Sequence, residues 1–225
     1  MARSGRAMNP GSYRCVKACA GLFLRVGFRL RVRGAEYMPR TGGVLVAANH
    51  VSYLDPLVVG VACPRPLTFM ARSTLWRSPF MHLFLWQMGV IPIMRSEGDV
   101  AAVREAIRRL RAGEALAIFP EGARQWTPTL GDVKRGVGLL AIAGQVPVVP
   151  AIVRGTYDAL PRGSGWLRRA KIQVAFGPQI AYTESRFTAD QPKGEPSTEL
   201  AARHEALAEA VTQRWRQLQD ELSHE

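Results

Sequence analysis

Short apolar runs, separated by longer stretches of mixed polarity, recur along the chain from about Gly34 onward. Val44 to Ala48, Leu67 to Ala71, Val90 to Met94, Ala115 to Phe119 and Val146 to Val153 each have the length of a buried strand, and Ala170 to Phe176 adds one more. Phe28 to Val32 alternates apolar with basic residues, the pattern of an edge strand. Between these runs lie segments of helical period. The clearest spans about Asp99 to Arg111, with Val100, Val103, Ile107 and Leu110 on one stripe. Ser96 and Asp99 stand there at capping-box spacing, with Asp in place of Glu, and Gly113 is placed as the residue after the C-cap. Alternation of strand and helix predicts an α/β domain over residues 34–181, with a mostly parallel central sheet and helices on both faces. Residues 182–225 read as a Pro/Gly/Ser-rich linker followed by a C-terminal helix from about Thr198 to Leu222, which carries Leu200, Leu207, Val211, Leu218 and Leu222 at helical spacing.

Ahead of the domain, residues 1–33 have another texture. From Gly11 the chain reads GSYRCVKACAGLFLRVGFRLRVRG, with Val16, Ala20, Phe23, Leu24 and Leu30 interleaved with Arg14, Lys17, Arg25 and Arg29. This predicts a basic amphipathic helix, suited either to the membrane interface or to packing on the domain. Charges interrupt it too often for a spanning helix, which needs roughly 18 or more apolar residues in succession. No small-residue cleavage site follows a clean apolar core, which argues against a secretory signal.

At 225 residues and 47% hydrophobic, the chain can bury one core of ordinary size. Its formal charge is +12, and residues 1–40 contribute nine basic residues against Glu36 alone, or +8 of that total. A patch of this sign fits a polyanion, either nucleic acid or an anionic membrane face. No aromatic-basic stacking motif or helix-turn-helix pattern accompanies it, which disfavours nucleic acid. Three cysteines, Cys15, Cys19 and Cys63, form neither a disulfide framework nor a zinc spacing. They read as small buried residues in a reducing compartment. His82, His204 and His224 lack metal-ligand spacing, so no metal is expected.

Ligands of open α/β sheets gather at the carboxyl ends of the strands. The first such end carries Asn49-His50-Val51-Ser52-Tyr53-Leu54-Asp55. If the turn brings His50 and Asp55 together, the carboxylate holds Nδ1–H and Nε2 becomes a base. Ser52 lies outside any Gly-x-Ser-x-Gly elbow, so a serine hydrolase is disfavoured. A His–Asp pair without its own nucleophile suits activation of a substrate hydroxyl. The second strand end finishes on Arg95, and the third on Pro120-Glu121-Gly122-Ala123-Arg124; two arginines delivered to one edge would make a forked anion site. The fourth, Val146-Pro147-Val148-Val149-Pro150, places prolines where they would bound a strand. Gly136-Val137-Gly138-Leu139-Leu140-Ala141 matches a dinucleotide fingerprint, but a polar loop precedes it where a strand is required.

In this order the four segments resemble the four blocks of the glycerolipid acyltransferase family of the lysophosphatidate acyltransferase type, from about Gly34 to Gly177. "NHVSYLDP" is similar to its Asn-His-x4-Asp block, "GVIPIMR" to the block ending in arginine, "FPEGAR" to Phe-Pro-Glu-Gly-Thr-Arg, and "VPVVP" to the fourth. The resemblance implies that His50 is the general base and Asp55 its orienting partner, and that Arg95, Glu121, Gly122 and Arg124 bind the glycerol-phosphate part of the acceptor. Lys134 and Gly136 resemble a following Lys-x-Gly element, and Arg72 stands where relatives often have lysine. Ala123 and Gln125 replace the usual threonine and serine, which opens the acceptor headgroup to question more than the reaction.

The activity so implied is transfer of a fatty acyl group from acyl-coenzyme A or acyl-carrier protein to the free hydroxyl of 1-acylglycerol 3-phosphate, without a cofactor, giving phosphatidic acid. The implied partners are the acceptor, the donor and a membrane surface with anionic phospholipids, and the implied location is the cytoplasmic side of a membrane, peripheral or monotopic. Glycerol 3-phosphate or another lysolipid is the rival acceptor. A basic nucleic-acid- or membrane-binding protein without catalysis is the rival class.

Overall fold

The computed structural model describes residues 10–77, 82–83, 85–86, 88–94, 99–182 and 196–224. Helix α1 (Pro10–Phe28) leads into strand β1 (Arg31–Arg33), and β2 (Val44–Ala48) follows. Helix α2 (Asp55–Ala62), β3 (Leu67–Arg72), β4 (Ile91–Ile93), α3 (Val100–Arg111) and β5 (Ala115–Ile118) come next. The chain continues through α4 (Gly136–Gly144), β6 (Val148–Arg154), α5 (Thr156–Ala159), β7 (Gln173–Phe176) and α6 (Pro196–Ser223). The strands form one sheet in the order β1-β7-β6-β2-β5-β3-β4. Every neighbouring pair is parallel except β6 with β7, so β2 through β6 present their carboxyl ends to one edge.

The period of two along β2 explains the layers. Val44, Val46 and Ala48 face a core with Leu24 and Phe28 of α1 and Val58 and Val59 of α2. Leu45 and Ala47 face the other core, with Leu110 of α3, Val137 and Leu140 of α4, and Leu207, Val211 and Trp215 of α6. A strand buried on both faces reads as a continuous apolar run, as the sequence does here. The indole N–H of Trp215 donates to the Ala47 carbonyl at 3.0 Å, which satisfies the one polar atom of the largest fully buried side chain.

Several local expectations are corrected. Phe28 ends α1 rather than opening a strand: Arg29 takes a left-handed conformation (φ 49°) that stops the helix, and Leu30 N–H donates back to the Leu24 carbonyl at 3.2 Å. Asp99 is the N-cap of α3, accepting from Ala102 N–H at 3.1 Å, rather than the third residue of a box opened by Ser96, which lies outside the described residues. Gly113 does take the left-handed conformation (φ 87°) that a C′ residue requires. In α3 Val100 is exposed, whereas Val103, Ile107 and Leu110 of the expected stripe pack on the core, together with the buried Ala102, Ala106 and Arg109. Arg109 reaches the interior because Glu105 and the Gly89 carbonyl accept its guanidinium.

Pro150 does not bound β6 but sits inside it. Ala151 pairs with Phe176 whereas Val148 bridges Ile180, so the partner chain carries one extra residue beside Pro150. That bulge removes the need for a Pro150 N–H, and its carbonyl still accepts from Gly177 at 2.8 Å. The linker expectation for residues 183–195 falls outside the described residues.

Cys63 is buried, but Cys15 and Cys19 are exposed, because α1 packs through the opposite stripe of Tyr13, Gly21, Leu24 and Phe28. Phe23, expected on the apolar face, is 48% exposed beside Leu22 and Val26. No helix among the described residues is long and apolar enough to cross a membrane.

Candidate active site

The segment after β2 turns sharply because its polar groups satisfy one another. Asp55 opens α2 with Pro56 in the first turn, and its carboxylate points back into the turn. Oδ2 accepts from the N–H groups of Val51 and Ser52, each at 2.7 Å, and stands 2.8 Å from His50 Nδ1. Asp55 is fully buried, while the His50 side chain keeps 17% exposure. With Nδ1–H donated to the carboxylate, Nε2 is the nitrogen left to accept a proton. Phe119 stacks on the imidazole at 4.2 Å between ring centroids and fixes its plane.

Asn49 holds this turn to the neighbouring strand. Its side-chain N–H donates to the Val153 carbonyl at 3.1 Å, and its Oδ1 accepts from Val153 N–H at 2.7 Å, both in the interior. Ser52 is a brace rather than a nucleophile: it is fully buried, donates to the Leu160 carbonyl at 2.8 Å and accepts from Leu54 N–H at 3.2 Å.

The turn after β5 brings up the anion-binding candidates. It is tied to the first turn by Gln125 N–H, which donates to the His50 carbonyl at 2.8 Å. Gly122 takes a left-handed conformation (φ 77°), and a Cβ there would lie 2.8 Å from Lys134 Nζ, so the lysine ammonium sits directly over it. Arg72, at the end of β3, donates to the Gly122 carbonyl at 3.4 Å. The Arg124 guanidinium lies 3.3 Å above the Tyr53 ring, and its Nη1 is buried without a hydrogen-bond partner. A desolvated guanidinium N–H two residues along from Gly122, where the Lys134 ammonium and the Arg72 guanidinium also meet, is a donor shaped for an oxyanion.

Glu121 is 5% exposed, with Oε1 accepting from Gly131 N–H at 3.3 Å and Oε2 unpartnered. Burial pushes its carboxyl up to about 7; nearby donors of Gln125, Gly131 and His50 offset part of the rise, and the Asp55 charge adds to it.

His50, Asp55, Glu121, Gly122, Arg124 and Lys134 therefore converge at one edge of the sheet. Arg95 lies outside the described residues; β4 ends at Ile93 on the same edge. Sequence reasoning passed over Asn49 and Phe119 as the His50 supports, Tyr53 as the Arg124 platform, and Arg162. The Arg162 guanidinium donates to the Arg124 carbonyl at 2.6 Å and lies 3.8 Å over the Trp126 ring. No sequence signal links these pairs: Tyr53 is 71 residues from Arg124, and Trp126 is 36 residues from Arg162. Gly138 has a packing reason: a Cβ there would come within 2.5 Å of the His204 backbone in α6, so the glycine permits close approach of α4 and α6 and opens no nucleotide loop. Among the described residues no three His, Cys, Asp or Glu side chains gather as metal ligands.

The α/β sheet thus carries an imidazole–carboxylate pair and a cationic turn on one edge. The comparisons assign the class. The family model described as Acyltransferase matches residues 29–154, and the chain belongs to that family. The 1-acyl-sn-glycerol-3-phosphate acyltransferase of Bacillus subtilis is 28% identical over 204 residues, covering 89% of this chain and 92% of that one. The human 1-acyl-sn-glycerol-3-phosphate acyltransferase alpha is 34% identical over 170 residues, covering 74% of this chain and 59% of its own length. In fold, the chain matches the crystal structure of the 1-acyl-sn-glycerophosphate acyltransferase PlsC from Thermotoga maritima, with a TM-score of 0.74, 22% identity, and coverage of 99% of this chain and 86% of that one.

Proposed function

We propose that the protein transfers a fatty acyl group from a thioester donor, acyl-coenzyme A or acyl-carrier protein, to the free hydroxyl of 1-acylglycerol 3-phosphate. The observation that carries the reading is the His50–Asp55 pair standing beside the unpartnered Arg124 N–H, with the nearby serine already engaged in structure. His50 Nε2 takes the hydroxyl proton as the hydroxyl oxygen attacks the thioester carbonyl, and Asp55 stabilises the imidazolium that forms. Collapse of the tetrahedral intermediate forms the ester and breaks the C–S bond, and the imidazolium returns its proton to the departing thiolate. No acyl-enzyme is required. Arg124, Lys134 and Arg72 hold the acceptor phosphate, and the family resemblance of the sequence adds Arg95 to them.

Membrane contact belongs to this reading. Helix α1 packs on the domain through Tyr13, Leu24 and Phe28, yet it leaves Leu22, Phe23 and Val26 exposed next to Arg25. Packing on the domain is thus the observed alternative, and the exposed apolar residues beside Arg25 support membrane contact as well.

The test is a panel of acceptors (lysophosphatidate, glycerol 3-phosphate, an amino-acid lysolipid) against both donors, run with the native chain and His50→Ala. Ester formation on lysophosphatidate that disappears with His50→Ala is expected. Ester formation that survives the substitution refutes the role of His50, and preference for another acceptor refutes the substrate.

A further inference from the structure

The loop between α5 and β7 braces the site through Leu160 and Arg162, yet its tip, which no contact described above uses, carries the most exposed large hydrophobic side chain among the described residues. Trp166 is 83% exposed and its neighbour Leu167 51% exposed. Arg168, Arg169 and Lys171 follow at once, all exposed.

The loop is built rather than slack. It leaves the sheet after β6 and returns at β7, with Arg154 paired to Gln173, so both of its ends stand at the carboxyl edge that holds the site. Gly155 closes the base: a Cβ there would lie 1.9 Å from the Lys171 carbonyl oxygen. Leu160 and Ala170 pack on the core, which leaves the residues between them projecting. Within the projection Ser164 N–H donates to Pro161, the Ser164 hydroxyl accepts from Trp166 N–H at 3.3 Å, and Arg168 N–H donates to the Ala159 carbonyl at 2.8 Å.

Three of its attachments lead to elements of the site or to α1. Ser52 of the His50 turn donates to the Leu160 carbonyl, and Arg162 donates to the Arg124 carbonyl. Ile172 N–H donates to the Phe28 carbonyl at 3.0 Å, which ties the loop to the end of α1 that exposes Leu22, Phe23 and Val26.

We propose that residues 161–171 form a second membrane-contact element, with Trp166 and Leu167 set at the lipid headgroup level and Arg168, Arg169 and Lys171 on anionic headgroups. A tryptophan followed by basic residues matches the interface, where an amphipathic ring and cations are both favoured. Together with the exposed face of α1, the loop gives the edge two contacts joined at Phe28 and Ile172, so the bilayer meets the protein where the acceptor must enter. The proposal rests on the lipid-acylation reading for its purpose, but on loop geometry and charge for the contact itself.

The experiment uses the full chain and phosphatidylcholine vesicles with and without phosphatidylglycerol. Each basic residue at an anionic surface contributes about fivefold to partition, so Arg168→Gln/Arg169→Gln/Lys171→Gln lowers binding to the anionic vesicles about a hundredfold at low salt. Trp166→Ala lowers binding to both, and Trp166→Phe removes the component of fluorescence quenched by brominated lipid. Turnover of a short-chain acceptor below its micelle concentration stays at the native level in all three. Vesicle binding that is unchanged in the triple variant and in Trp166→Ala overturns the proposal. So does a concentration-dependent dimer that Trp166→Ala abolishes without altering vesicle binding, because the loop then meets a second copy. A native chain that binds vesicles through this loop but transfers no acyl group refutes the function reading and leaves the contact standing.

Discussion

Replacing Asp55 by asparagine separates two jobs that its carboxylate performs. All the donors, His50 Nδ1 and the N–H groups of Val51 and Ser52, converge on Oδ2, while Oδ1 is buried without a partner. An asparagine can therefore set its carbonyl oxygen in the Oδ2 place and its NH2 in the Oδ1 place, keeping the turn and the imidazole orientation while losing only the charge. The loss is that of a carboxylate facing an imidazolium, worth about 4 kcal/mol for charge centres about 4 Å apart at an effective dielectric of about 20. That corresponds to a fall in kcat of about a thousandfold. Asp55→Ala loses the same charge and also strands two buried backbone N–H groups, at about 1–3 kcal/mol each. The expected pattern is a lower kcat for Asp55→Ala than for Asp55→Asn, because alanine also releases the imidazole, with a melting temperature near native for Asp55→Asn and clearly lowered for Asp55→Ala. Steady-state acyl transfer and thermal melts check it. An Asp55→Asn enzyme within a few-fold of native kcat refutes the reasoning, because the carboxylate would then orient the base without stabilising its protonated form.

Other predictions follow from single contacts. Glu121 binds its proton more tightly in the folded chain than in the unfolded one, with a carboxyl at about 7, so its contribution to stability is complete below the ordinary carboxylate range and is lost as pH rises through about 7. That difference is on the order of 3 kcal/mol; Glu121→Gln should flatten the melting temperature between mildly acidic and mildly alkaline pH, and an unchanged slope would remove Glu121 as the cause. Gly122→Ala places a methyl 2.8 Å from Lys134 Nζ at a positive φ, so KM for the acceptor should rise several-fold with a smaller change in kcat; an unaltered KM would detach Lys134 from the phosphate. Asn49→Ala leaves the Val153 N–H and carbonyl unpaired in the interior, at a cost of about 2–4 kcal/mol, visible in denaturant unfolding. If that variant unfolds like the native chain, water has entered and the clamp is not structural.

What the sequence disclosed and what it hid divide along a physical line. The run Val44 to Ala48 was legible because burial on both faces leaves no polar position, and the strand ends then pointed to His50, Asp55 and the 121–124 turn. Pro150 was misplaced because its tolerance depends on a bulge in a partner more than two dozen residues away in the chain. The α1 face was misjudged at Phe23, Cys15 and Cys19 because a helix with apolar residues on two sides does not say which side meets the domain. Arg109 and Arg162 were invisible for a related reason: their acceptors, the Gly89 and Arg124 carbonyls, are brought to them only by the folded sheet.

The same division explains how the site is kept stiff although it stands on loops. The His50 turn and the Glu121 turn are tied to each other by Gln125 N–H to the His50 carbonyl, and to β6 and the segment after it by Asn49 to Val153, Ser52 to Leu160 and Arg162 to Arg124. These bonds link the ends of β2, β5 and β6 across the edge. A base and a phosphate cradle must keep a fixed separation if one acceptor molecule is to reach both, and proximity of this kind is lost with displacements of about an ångström. The cross-links hold that separation with backbone carbonyls as acceptors, leaving the Arg124 guanidinium, the Lys134 ammonium and His50 Nε2 for the substrate. Loss of any single cross-link should therefore lower kcat even though none of these groups touches the acceptor.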